Sequence, residues 1–135
     1  MGVRVRVRIK YGDAALDLVA LVNTGYETDV PEILVPVSVA EKLGIYPRLP
    51  DGTIVETYKT AAGLMKAYRV GGASTALLIE GVEARGLGTN AVISGYADEP
   101  LMSDQLASEF GIMVEDPAEG LWRLKGESVI RSGVR

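Results

Sequence analysis

Between Val3 and Lys10 the chain alternates a β-branched residue with a cation, Val3-Arg4-Val5-Arg6-Val7-Arg8-Ile9-Lys10. A period of two marks a strand with one dry face, so the stretch predicts a half-buried strand whose cations stand in water and protect its edge from wrong pairing. Tyr11-Gly12-Asp13 reads as a hairpin turn into a second strand, Ala14 to Val22, whose long apolar stretch is interrupted only by Asp17 and belongs at the centre of a sheet. Asn23-Thr24-Gly25 ends that strand in turn chemistry, because Asn bonds its own backbone and Gly can take positive φ. After the polar loop Tyr26 to Glu32, the short strand Ile33-Leu34-Val35 is stopped by Pro36. Ser38 with Glu41 three residues on predicts a capping box, and Gly44 the left-handed residue closing that helix.

Asp51-Gly52 turns the chain into a strand over Thr53 to Thr60, whose partner, Leu64 to Val70, returns through a tight tip at Ala61-Ala62-Gly63. Gly71-Gly72 and Glu80-Gly81 set off Ala73 to Ile79 and Val82 to Arg85 as further short strands. Ser103 is the expected N-cap of a second helix with Asp104 in its first turn, and Met113 to Glu115 with Leu121 to Leu124 forms a last hairpin. From about residue 125 a tail is expected. Several short strands at this spacing predict an antiparallel sandwich or barrel with two short helices, and 135 residues make one domain.

The chain also repeats itself. Ala91-Val92-Ile93-Ser94-Gly95-Tyr96 has the shape of Leu21-Val22-Asn23-Thr24-Gly25-Tyr26, shifted by 70 positions (91 minus 21). Ala107-Ser108-Glu109-Phe110-Gly111-Ile112 matches Ala40-Glu41-Lys42-Leu43-Gly44-Ile45, shifted by 67 (107 minus 40). Two copies of one strand-turn-strand-helix unit follow, and with them an internal pseudo-two-fold.

Composition removes whole classes of chemistry. With no Cys and no His, disulfides, thiolate catalysis, Ser-His-Asp mechanisms and imidazole metal ligands are excluded, leaving carboxylates, Lys and Tyr as proton carriers. A net charge of −4 and the lack of an aromatic platform beside the basic strand argue against a nucleic-acid partner. No apolar run reaches the roughly 20 residues of a membrane span and the start lacks a signal-peptide core, so no membrane partner and a cytoplasmic location are expected. One Gln and two Asn lean toward a thermophilic source. Glu27, Asp29 and Glu32 lack the regular ligand spacing of a calcium site, so no metal is expected. Trp122 is a core or interface anchor.

Ala20-Leu21-Val22-Asn23-Thr24-Gly25, then Ile33-Leu34-Val35-Pro36 and Val39-Ala40-Glu41-Lys42-Leu43-Gly44-Ile45, resemble a retropepsin-like aspartic peptidase, a family that reads hydrophobic-hydrophobic-Asp-Thr-Gly at this place. The resemblance covers most of residues 3 to 124 and implies an all-β fold, a retropepsin-like closed barrel with two short helices in a single-lobe protomer. It implies a homodimer acting on a peptide or unfolded protein, with no cofactor. Two carboxylates sharing one proton are needed to activate water, and a chain with one such turn supplies only one. In the family the second copy lacks the Asp, and Ile93 stands there in this chain.

Asn23 takes the place of the catalytic Asp. An amide can copy the hydrogen-bonding geometry of the carboxyl but cannot take a proton from water, so binding without appreciable hydrolysis is expected. Asn23 is either the natural residue of a binding protein or an inactivating replacement in an active enzyme, and a non-enzymatic peptide-binding or dimerisation module is the alternative function. By the resemblance Thr24 bonds across the dimer axis, against a local turn bond; Glu27 meets substrate backbone, against a solvated loop carboxylate. Ala62 and Gly63, in Thr60-Ala61-Ala62-Gly63-Leu64, belong to a flap over the substrate, against an ordinary surface hairpin. Tyr26 and Tyr96 are packing residues beside glycine, though Tyr26 stands where relatives usually have Ala and could narrow the cleft.

Overall fold

The computed structural model describes residues 2–60 and 63–135. Strands β1 (Arg4–Tyr11) and β2 (Ala14–Val22) form the expected hairpin, with Gly12 at φ 55° in its turn. The alternation of β1 is realised directly: Val3, Val5, Val7 and Ile9 are buried while Arg6 and Lys10 face solvent. There follow β3 (Glu32–Val35), α1 (Val37–Lys42), β4 (Ile54–Thr60), β5 (Gly63–Leu77), β6 (Gly86–Ser94), β7 (Leu101–Met102), α2 (Asp104–Phe110), β8 (Ile112–Asp116), β9 (Leu121–Leu124) and β10 (Arg131–Ser132).

Six strands close into a barrel in the order β1-β2-β7-β3-β6-β5, with β5 returning to β1 through pairs from Val7↔Leu77 to Lys10↔Ser74. β4 lies outside the ring and, among the described residues, pairs only with the first half of β5. Gly71-Gly72 does not divide two strands as expected; it is a bulge within the single strand β5, with Gly72 at φ 84° and the register shifting between Val70 and Ala73. A bulge bends its strand. Here it lets the first half of β5 carry β4 while the second half closes on β1.

The two sequence copies are interlocked. β2 pairs in parallel with β7, β3 pairs in parallel with β6, and β3 meets β7 antiparallel. The pair Leu34↔Leu101 joins two residues related by the shift of 67 (101 minus 34), so the pseudo-two-fold passes through it. The parallel pairs are a departure from the expected all-antiparallel barrel, and they arise because each copy donates a strand to the other. Ile33, Val35, Ile93, Met102 and Leu106 are fully buried where the copies meet.

Three further expectations are corrected. The capping box at Ser38 is absent: the N-cap of α1 is Pro36, at φ −63° and ψ 160°, without a side-chain bond, because the proline ring already holds the chain extended there. Val82 to Arg85 form no strand and run as an exposed loop. Residues past 124 are no loose tail, since β10 pairs with β9, and Val134 N–H donates to Arg4 O at 2.7 Å. The expectation at α2 holds, with Ser103 as N-cap and Gly111 at φ 74° after the helix.

Candidate functional site at the Asn23 turn

β2 delivers Asn23 to the end of the barrel with Val22 buried behind it, and Asn23 N–H donates to Met102 O of the second copy at 3.1 Å. The side chain folds back: Gly25 N–H donates to Asn23 Oδ1 at 3.0 Å, and Tyr26 N–H to Asn23 O at 3.0 Å. That bond holds the amide oxygen against the turn, leaving Nδ2 as the group available to a ligand. Gly25 does not use the positive φ expected of it. What favours glycine is contact, because a Cβ there would stand 3.3 Å from Asn23 Oδ1.

Thr24 is exposed, and among the described residues its hydroxyl makes no hydrogen bond, so the local turn bond is not formed. It lines a cavity of about 380 Å³ with Asp104, Ala107, Ser108, Ile112 and Met113 among the other walls. Glu27 is exposed on the loop. Gly63 opens β5 at φ 116°, opposite Thr60 on a separate hairpin, and Ala62 lies outside the described residues.

Behind the turn stands a polar cluster that the sequence reading missed. Tyr26 Oη donates to Glu32 Oε1 at 2.9 Å, Asn90 Nδ2 donates to Glu32 Oε2 at 3.2 Å, and Arg69 Nη1 lies 3.9 Å from the same oxygen while its Nη2 meets Glu56 at 2.9 Å. Glu32 is only 7% exposed. A buried carboxylate needs such partners, since desolvation otherwise costs several kcal/mol. Ser103 Oγ accepts both Glu32 N–H (3.1 Å) and Leu106 N–H (3.2 Å), tying β3 to α2. The loop is strapped to the same helix, with Asp104 N–H donating to Tyr26 O at 2.9 Å and Thr28 N–H to Asp104 Oδ1 at 3.0 Å. One signal could have found Glu32: the shift of 67 maps it onto Glu99, a second Glu at the matching place.

Glu99 accepts a two-pronged bond from Arg4 (2.9 and 3.1 Å), and Asp17 one from Arg8 (2.6 and 3.0 Å). Hydrogen bonding to the guanidinium holds each carboxyl below its ordinary pKa. Two of the four cations of β1 are therefore already paired. Among the described residues no group of three or more His, Cys, Asp or Glu could hold a metal ion, and no helix is long and apolar enough to cross a membrane. Trp122 is 5% exposed and belongs to the core.

Comparison of the chain with models of protein families and with curated proteins gives no match.

Proposed function

We propose that the chain is a single-lobe protein of the retropepsin kind that acts as a homodimer, holding an extended peptide between two Asn23 turns without cutting it. The observation that carries this reading is the interlocked pair of units, with an Asn-Thr-Gly turn at the end of a buried strand and its amide folded back on Gly25 N–H. In a symmetric dimer each turn would offer Asn23 Nδ2 as a donor to a peptide carbonyl. Neither could remove a proton from water, so the general-base step is missing. Thr24, with no partner hydroxyl or carbonyl among the described residues, is free to bond to the other protomer. The outer edge of β8, with Met113 39% and Val114 38% exposed beside the Thr24 cavity, supplies surface for the second copy.

A second reading, a binding or dimerisation module with no peptidase chemistry to restore, is favoured by Tyr26. Its bond to the buried Glu32 puts hydrogen bonds behind the turn that no peptidase step uses.

The test is hydrolysis of an unfolded protein, from acid to neutral pH, by the chain beside Asn23→Asp, with the dimer checked by sizing. The expected result is a gain of at least about 10²-fold in Asn23→Asp, the usual contribution of a positioned general base. Two folded dimers that both fail to cut replace the first reading with the second, and a monomer removes the first.

A further inference from the structure

Next to the second turn lies a cavity of about 390 Å³, whose walls include Val37, Tyr46, Leu64, Lys66, Tyr68 and Tyr96. β5 builds one side of it. Register sets Tyr68 opposite Ile93 of β6 and Val55 of β4, and the alternation of a strand puts Leu64 and Lys66 on the same face as Tyr68. Tyr46 packs on Tyr68 with ring centroids 6.5 Å apart and planes at 45°.

The polar equipment of this cavity is one-sided. No carboxylate lines it, and Lys66 makes no ion pair among the described residues. The hydroxyls of Tyr46, Tyr68 and Tyr96 likewise have no hydrogen-bond partner there. The walls thus combine aliphatic side chains with three tyrosines and a lysine, in a protein whose net charge is −4. Leu64, 75% exposed, and Tyr96, 66% exposed, are large apolar groups left in water among its walls. An apolar recess with a few converging polar groups suits a side chain of the same build.

We propose that this cavity takes a large apolar side chain of an extended peptide whose neighbouring residue is Asp or Glu, with Lys66 meeting the carboxylate. The inference rests on the peptide-binding reading above and narrows it to acidic, apolar segments. An unpaired Lys in a wall without acids makes this cavity locally positive in a chain of negative net charge, so it selects the sign of the ligand here.

Labelled peptides identical except for a central Phe-Glu, Phe-Gln or Phe-Lys, titrated by fluorescence anisotropy, test it. The unaltered chain should bind them in the order Glu, Gln, Lys, with about three- to ten-fold between the ends, as expected for an ion pair at a rim. Raising the salt should narrow that range. Lys66→Met should abolish the order and Lys66→Glu reverse it. Lys66 is exposed, so an unchanged thermal transition in both variants separates ligand reading from folding. Equal, measurable binding of all three peptides overturns the acid preference and leaves peptide binding in place. Absence of binding to any of them overturns the peptide-binding reading as well.

Discussion

The two copies of the strand-turn-strand-helix unit hold equivalent places in the barrel and use them differently. The pairs Leu21↔Leu101 and Val92↔Leu34 correspond, so the counterpart of Asn23 in the structure is Ser94 and not the expected Ile93, which matches the likewise buried Val22. Asn23 is partly exposed and accepts from Gly25 N–H, whereas Ser94 is buried and its Oγ accepts from Tyr96 N–H at 3.3 Å. The tyrosines that follow stand at different places in the two turns, Tyr26 tied to Glu32 and Tyr96 standing 66% exposed. Glu32 and Glu99, matched by the shift of 67, answer to different arginines, one buried beside Arg69 and the other near the surface with Arg4. The helices differ too, since Ser103 Oγ caps α2 through Leu106 N–H and also accepts from Glu32 N–H of β3, while Pro36 starts α1 without a side-chain bond. Where the same backbone is built twice, the difference shows which copy serves packing. The second turn buries its polar side chain, Ser94, and the first keeps that of Asn23 near the surface.

The sharpest way to break this comparison is to place a carboxyl beside each turn. Ile93→Asp buries a carboxyl without a partner and should cost more than about 4 kcal/mol, abolishing the cooperative transition in urea at neutral pH. Asn23→Asp should stay within about 1 kcal/mol of the parent, and comparable transitions for both variants would refute the assignment of a core turn and a surface turn.

Next in size are the two glutamates. Glu32→Ala strips the acceptor from Tyr26, Asn90 and Arg69 in a buried place and should cost about 3 kcal/mol. Glu99→Ala removes a pair whose side chains are 30% and 37% exposed and should cost no more than about 1 kcal/mol, so equal losses in denaturant titrations would erase the distinction.

The smallest effect is in pH. Glu99 and Asp17 have lowered folded-state pKa values, so their contribution is complete above the ordinary carboxylate range and is lost as pH falls through the lowered values. The double variant Glu99→Gln with Asp17→Asn should therefore be less stable than the parent at neutral pH, with the gap closing from about pH 5 downward. A gap that widens toward acid would contradict the sign.

Much of this architecture was legible because it rests on local rules. The period of two in β1 announced Val3, Val5, Val7 and Ile9 as core, and the repeat from Leu21 to Ala91 announced the doubled unit. Ser103 could be read as a cap because serine before a helical run has few other uses. Ser38 misled by the same rule, since Pro36 fixes the extended residue two places earlier. Gly71-Gly72 has the composition of a break, and only the pairing on both sides of β5 makes it a bulge. Glu32, directly after Pro31, reads as the end of a polar loop, and the partners of its buried carboxylate, Tyr26, Arg69 and Asn90, are brought together by no local pattern. The turn at Asn23 was visible from its residue types; the direction of its amide required Gly25 N–H in place.

The exchange of strands between the copies bears on how the chain acquires its shape. β2 cannot complete its sheet until β7 arrives, eighty residues later (101 minus 21), and β6 finishes what β3 begins. Loop closure over such separations comes late, after local hairpins such as β1–β2 have formed. During synthesis the Asn23 turn is therefore made early as a sequence and late as a structure: its backbone anchor, Met102 O, does not exist until three quarters of the chain has been built.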